Sequence, residues 1–368
     1  MKRLKKGRSL VLVFMSIFFF IIAATFIAVI ILSPGNVEQF KDSNGKVLEN
    51  SIAEKTFINV NGAKQGMIIK GKNKDNPVLL FVHGGPGMPE YFLTKDYPTH
   101  LEDYFTVVWL DQRGTCLSFD SNIDDSTMNI EQSVDDTIAV TNYLRQRFSK
   151  DKIYLMAHSW GSLIGMKTVK KAPELFKAYI GIGQITYTPE SEKRAYEYMI
   201  DYYSNTGDLK TAEKLKNMNY ESNEYTAIRD EIMHKAGIGT MHNMDSVVKG
   251  IFFRSLLNNE YTLSEKVNLW RGKIYSSKTQ LSHDRDEIDL RNSITKVDLP
   301  IYFFSGLYDY TVNYEMAEEY LKSIDAPIKG FYLFDNSAHS PIFEEQDKVN
   351  EIMRDDVLQG TNTSADIK

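Results

Sequence analysis

The sequence predicts an α/β fold: a mostly parallel sheet with helices on both faces, interrupted by an inserted helical cap and preceded by an N-terminal transmembrane helix. Three observations carry this reading. Short apolar runs, each closed by a turn signal, alternate with stretches of helical period along most of the chain. The alternation breaks between Thr186 and Ser293, where strand signals vanish and Tyr, Glu, Lys and Asn recur at helical spacing. An uncharged apolar run fills residues 10–32.

The apolar run contains only Ser16 and Thr25 as polar residues. As a helix rising about 1.5 Å per residue it extends roughly 34 Å, enough to cross a hydrocarbon core of about 30 Å. Lys2, Arg3, Lys5, Lys6 and Arg8 precede it, and basic flanks stay on the cytoplasmic side. The expectation is a cytoplasmic basic segment at 1–8, an anchor at 9–32 and a body on the extracytoplasmic side of a cell membrane. A cleaved signal peptide, with secretion of the body, is the alternative. Its apolar region is typically about 7–15 residues and ends in small residues, whereas Val29, Ile30, Ile31 and Leu32 are bulky.

Ser33-Pro34-Gly35-Asn36 ends the run, and the polar stretch 33–51 reads as a stalk. Residues 56–60 and 66–70 read as a hairpin about Asn61-Gly62. Residues 78–82, 106–110, 153–156 and 178–182 read as buried strands, with helices at 130–148 and 163–171. This first part of the core spans 52–185 and the cap 186–293. The second part, 294–360, repeats the rhythm with strands at 301–304 and 330–334 and helices near 314–323 and 344–357, before a tail at 361–368. Strands alternating with helices imply a parallel sheet covered on both faces.

Composition narrows the function. Apolar residues make up 42% and charged residues 25%, which suits a folded globular body. The net charge is −6 even though five basic residues crowd the N-terminus, so the body is acidic and nucleic-acid binding is not expected. A single cysteine, Cys116, rules out an internal disulfide and a cysteine-cluster metal site. Cys116 is a nucleophile in principle, but reads as a small, partly buried loop residue. No cofactor or metal is expected, and the oligomeric state stays open.

Three features carry chemistry. Ala157-His158-Ser159-Trp160-Gly161 lies between a strand and a helix. A serine at such a sharp turn is lifted out of the sheet with its hydroxyl exposed. The usual pattern is G-x-S-x-G, so Ala157 brings one extra methyl that the turn must accommodate. His83-Gly84-Gly85-Pro86-Gly87 follows the strand 78–82. Its glycines let backbone N–H groups approach a substrate oxygen, and the expected oxyanion hole is the N–H of Gly85 with that of Trp160. Asp309 and His339 each follow a late strand, so both are expected at the strand ends where Ser159 emerges. His339 would take the proton of Ser159 during attack on a carbonyl, and Asp309 would fix the imidazole tautomer. His83 is expected to shape the oxyanion loop and His158 to pack behind the elbow.

These residues resemble the proline iminopeptidase branch of the α/β-hydrolases. The order Ser, Asp, His matches that fold. The most specific piece is His83-Gly84-Gly85-Pro86-Gly87 followed by Asp111-Gln112-Arg113-Gly114 and Ser118. The family's second motif reads D-Q-R-G-x-G-x-S, and here Cys116 stands where Gly is usual. The resemblance implies release of an N-terminal residue, often Pro, from short peptides, with the free amine bound by acidic cap residues. Glu190, Glu192 and Glu197 are candidates for that task, against the alternative of a solvated acidic helix face. Trp270 is the lone cap Trp, and the family's Trp-and-Glu cap pattern is not matched. The family also holds members acting on esters and amides, so an esterase or amidase of small or lipid-derived substrates is the alternative activity. A silent binding protein on the same scaffold is a third reading. Ser159 at the elbow excludes the aspartate-nucleophile chemistry of epoxide hydrolases.

Overall fold

The computed structural model describes residues 2–31 and 33–368. Leu32, the last residue of the expected anchor, and the side chains of the basic segment 1–8 lie outside the described residues.

Helix α1 (Lys2–Ile31) begins the chain. Its stretch Val13–Ile31 has a mean hydropathy of 2.8 and is not buried against the body. It is long and apolar enough to cross a membrane. The polar segment expected as a stalk is held against the body: Pro34 bridges to Thr262, and the Glu38 amide donates to Glu260 at 2.7 Å.

The body is built on one eight-stranded sheet of order β1-β2-β4-β3-β5-β6-β7-β8. The strands are β1 (Ile52–Val60), β2 (Ala63–Gly71), β3 (Val78–Val82), β4 (Thr106–Asp111), β5 (Ile153–His158), β6 (Phe176–Ile182), β7 (Ile301–Gly306) and β8 (Lys329–Phe334). The β1–β2 hairpin runs antiparallel and joins β4; every later pairing is parallel. Strands β3, β5 and β7 are buried along their whole length, as continuous apolar strands inside a covered parallel sheet must be. Successive residues alternate between faces. Leu80, Val82 and Leu155 pack with α2 (Ile130–Arg147) and α3 (Trp160–Lys171). Leu79, Phe81 and Met156 pack on the other face with Leu269 of the cap and Ile342 and Val349 of the C-terminal helices.

The cap lies between β6 and β7. It comprises α4 (Thr188–Asn205), α5 (Leu209–Lys216), α6 (Asn223–Lys235), α7 (Phe253–Leu257), α8 (Leu263–Ser276), α9 (Gln280–Glu287) and α10 (Leu290–Ser293). Helices α4 to α6 share a small core of their own around Met199, Leu215 and Tyr225. Helix α8 starts on a capping box in which Thr262 and Glu265 satisfy each other's amides.

Helix α11 (Tyr314–Ser323) matches its expected bounds. The hairpin strands start earlier than expected, at Ile52 and Ala63 rather than at 56 and 66, and two helical elements also differ. Helix α3 begins at Trp160, directly after the serine, rather than at 163. The single final helix expected at 344–357 is instead α12 (Pro341–Glu344), α13 (Gln346–Ile352) and a wide turn at Met353–Val357. Glu345 breaks it with φ −130° and ψ 58°, because its carboxylate turns back to accept from the Asn336 amide and the Ser337 hydroxyl. The tail also folds back, with Ile367 bridging Phe331 of β8.

Candidate active site

Ser159 sits between the last residue of β5 and the first of α3, with φ 52° and ψ −122°. A non-glycine residue with positive φ is strained. The strain is held by the Ser159 amide donating to Ile182 at 2.8 Å and its carbonyl accepting from Ser162. Ser159 is partly exposed while both neighbours are buried. Ala157 is tolerated because Gly165 lies opposite: a Cβ there would come within 2.8 Å of the Ala157 methyl.

Asp309 follows β7 and is fully buried; His339 follows β8 and is 5% exposed. His339 Nδ1 donates to Asp309 Oδ2 at 2.9 Å, which leaves Nε2 as the ring's free acceptor. Asp309 Oδ1 accepts from the Val312 amide at 2.9 Å, so both carboxylate oxygens are used. Gly183, just after β6, lies against this pair. A Cβ there would meet His339 Cε1 at 2.8 Å and Asp309 Oδ2 at 3.2 Å. The ends of β5, β6, β7 and β8, which are parallel neighbours, therefore bring Ser159, Gly183, Asp309 and His339 to one rim of the sheet.

The glycine loop after β3 reaches the same rim. A Cβ on Gly84 would lie 3.2 Å from Ser159 Cβ. Gly85 has φ 127°, and a Cβ there would strike the Gly87 amide at 2.4 Å, so this position requires glycine. Trp160 is the first residue of α3, so its N–H belongs to the amides that have no acceptor within the helix.

The second motif braces this loop. The Gln112 amide donates to His83 Nε2 at 3.1 Å, and the Gln112 side chain donates to the His83 carbonyl at 2.7 Å. His83 Nε2 must then be unprotonated, and Nδ1 donates to the Gly84 carbonyl at 2.8 Å. Burial pushes the His83 pKa down to about 4, which keeps the ring neutral. Gln112 Oε1 accepts from the Trp160 indole at 3.3 Å, tying both halves of the expected oxyanion hole together. Arg113 forks onto Asp136 at 2.7 and 2.9 Å. Cys116, at the departure from the motif, has φ 34° and is 1% exposed. Burial and the neighbouring Asp111 carboxyl push its thiol pKa well up, so it is no nucleophile.

The three cap glutamates have other partners. Glu190 accepts from Arg194 at 2.9 Å and from Arg291 at 2.5 Å. Glu192 accepts from Arg229 at 2.7 and 2.8 Å and from the Tyr225 hydroxyl at 2.6 Å. Glu197 lies on an exposed face, 3.8 Å from Lys193. Glu190 and Glu192 are thus paired with arginines, while Glu197 faces solvent.

Three further residues support the site without a sequence signal. Glu90 Oε1 lies 2.5 Å from His158 Nδ1, and His158 Nε2 donates to the His339 carbonyl at 2.8 Å. Glu344 accepts from the amides of Ala338 and Ser340, on either side of His339, and from that of His242 in the cap. Gly183 could have been suspected only from its place one residue past a strand.

Comparison with known proteins identifies the family. Residues 77–346 match the family model described as alpha/beta hydrolase fold. The chain is 33% identical to the probable aminopeptidase YbaC of Bacillus subtilis (strain 168) over 312 residues, covering 81% of this chain and 94% of that one. It is 24% identical to a proline iminopeptidase of Saccharolobus solfataricus, covering 79% of this chain and 87% of the relative. Among solved structures, the proline iminopeptidase of Mycobacterium smegmatis superposes with a TM-score of 0.58 at 11% identity, over 83% of this chain and 98% of the other. A proline iminopeptidase-related protein of Thermus thermophilus gives 0.53 at 19% identity, over 82% and 98%. The sheet order, the elbow and these matches together establish that the chain belongs to the α/β-hydrolase fold family and is proline iminopeptidase-like.

Proposed function

We propose that this chain is a serine aminopeptidase that works through an acyl-enzyme and releases N-terminal residues from short peptides, tethered by α1 to the outer face of a cell membrane. The observation that carries the reading is the 2.9 Å bond from His339 Nδ1 to Asp309, at the same rim as the strained Ser159. The names of the curated relatives favour peptides over esters.

Ser159 Oγ attacks the carbonyl carbon of the substrate's first residue, and His339 Nε2 takes its proton. Asp309 holds the imidazolium that results. The carbonyl oxygen becomes an oxyanion facing the amides of Gly85 and Trp160, donors that need no reorientation. His339 returns the proton to the leaving amine as the C–N bond breaks. Water, deprotonated by His339, then cleaves the ester and restores Ser159.

The test is hydrolysis of prolyl and other amino-acyl anilides, beside aryl esters, by the chain and by Ser159→Ala. We expect anilide turnover and fluorophosphonate labelling that both vanish in the variant, with a loss of about 10⁴ or more in kcat. Equal rates for the two proteins on every substrate would remove the catalytic reading. Turnover of esters alone would replace the peptidase by an esterase.

A further inference from the structure

The cap carries an apolar, basic face with no role in the site described above. Phe253 and Leu257 on α7, Val267 and Ile274 on α8, and Val248 just before α7 are each between 50% and 59% exposed. Val267, Trp270, Arg271 and Ile274 follow the spacing i, i+3, i+4, i+7, so they share one side of α8. Trp270 links α8 to the start of α7, its ring tilted against that of Phe252 at 5.1 Å and its indole donating to Ser255 at 3.0 Å. Half-exposed large apolar side chains clustered on adjoining helices mark an interaction surface.

Charge and connectivity name the occupant. Residues 247–278 hold six basic and two acidic side chains, in a chain whose net charge is −6. Both acids are turned inward: Glu260 accepts from the Tyr91 hydroxyl, and Glu265 pairs with Lys55 at 2.6 Å. Arg254 is paired with Asp96 at 2.7 Å, and Lys266 is fully buried and donates to the Ser33 hydroxyl at 2.8 Å. Lys249, Arg271 and Lys278 are exposed.

The end of α1 is fastened to this same part of the cap. Pro34 bridges to Thr262, and the Gly35 amide donates to the Asn259 carbonyl at 3.1 Å, both in the link between α7 and α8. Helix α1 ends at Ile31, so Pro34 follows it within a single short step of chain. That step spans at most about 11 Å when extended. If α1 crosses a bilayer, the α7–α8 link lies within the headgroup layer or just outside it, since that layer is about 5–8 Å thick on each side.

We propose that the outer face of α7 and α8 docks on the lipid surface beside the anchor, with its apolar side chains in the headgroup–acyl boundary and its basic residues against anionic lipid. The proposal rests on α1 being a membrane anchor. An amphipathic surface of apolar and basic residues suits that interface, and Trp270 suits its edge. The docking would orient the site as well. Gly87 of the glycine loop packs so closely on α8 that a Cβ there would lie 2.6 Å from the Ser276 hydroxyl. The helix that faces lipid on one side thus supports the oxyanion loop on the other.

The test uses the full-length chain in vesicles containing anionic lipid. A cysteine is introduced at Phe253 or Val267 and labelled with an environment-sensitive fluorophore; the buried Cys116 does not compete. Glu174, exposed in the turn that leads into β6 at the ends of the strands away from Ser159, serves as the reference position. We expect blue-shifted emission at 253 and 267, quenching there by lipid-borne bromine, and neither at 174. Replacing anionic by neutral lipid should weaken the quenching. If 253 and 267 behave like 174 while the chain resists alkaline carbonate extraction, the docking is wrong and the anchor stands. Release of the chain by carbonate removes the anchor reading itself. A blue shift that persists in detergent, with crosslinking between chains, would assign the face to a second copy instead.

Discussion

His158 Nε2 donates to the backbone carbonyl of His339 at 2.8 Å, so the residue before the nucleophile holds the loop that bears the base. A carbonyl only accepts, so this nitrogen carries a proton. Nδ1 lies 2.5 Å from Glu90 Oε1, and the ring is charged when it carries both protons. Burial opposes that charge, but the Glu90 carboxylate and the His339 carbonyl outweigh it and raise the pKa above 6.5. The pair's contribution to stability is full below the unfolded value and is lost as pH rises through the folded one.

His158→Phe should therefore leave Glu90 as a largely buried, unpaired charge and cost about 3 kcal/mol of stability. It should lower kcat by roughly tenfold with little change in KM, since the loop and not the substrate contact is disturbed. Adding Glu90→Gln to His158→Phe should recover part of the melting temperature, because the unpaired charge is gone. A double variant no more stable than the single one would show that the two residues are not coupled.

Asp309→Asn tests the tautomer. The Val312 amide donates to one Asp309 oxygen and His339 Nδ1 to the other. An asparagine has one acceptor oxygen, and the Val312 N–H claims it. Its NH2 then faces Nδ1, which must accept, and the ring proton moves to Nε2. His339 can no longer take the proton of Ser159. The expected loss is about 10⁴ in kcat with binding retained, read from single-turnover kinetics and inhibitor affinity.

Gly183→Ala tests the space around the pair. Gly183 has φ 52°, and the new methyl would sit 2.8 Å from His339 Cε1 and 2.9 Å from Nδ1. The backbone conformation alone costs about 1–2 kcal/mol for alanine. The imidazole must also tilt away from Asp309. We expect a folded protein with a modestly lower melting temperature and a kcat down by roughly 100-fold. Full activity would mean that the ring has room the structure does not give it.

Much of this was legible beforehand, for identifiable reasons. Buried parallel strands are short and purely apolar, so β3 could be read to the residue from its five apolar positions. Ser159, Asp309 and His339 could be named because each follows such a strand, and strand ends converge in a parallel sheet. Glu90 could not be found, because its role depends on a fold that brings residues 90, 158 and 339 together. The pairing of two cap glutamates was hidden for the opposite reason: acidity is visible in sequence, whereas the arginines that meet Glu192 and Glu190, Arg229 and Arg291, come from distant helices. The break at Glu345 was equally hidden, since helix propensity knows nothing of the amide at Asn336.

Glu344 makes the base loop sensitive to pH. Burial pushes its carboxyl up to about 7, the amides of His242, Ala338 and Ser340 pull it partly back, and the Asp309 charge adds to the rise. The folded chain thus keeps a proton that the unfolded chain gives up near 4.5. Between these values the native state binds more protons, so stability falls as pH rises from about 4.5 to 7. A shift of this size corresponds to about 3 kcal/mol at most. Glu344→Gln imitates the protonated form, with one oxygen left to accept from the loop. Wild type and variant should therefore melt alike at low pH, and the variant should be the more stable above neutrality. Urea titrations across that window measure the difference directly; parallel curves for the two proteins would mean that Glu344 is ionised throughout and that its three amide donors, not its burial, govern it.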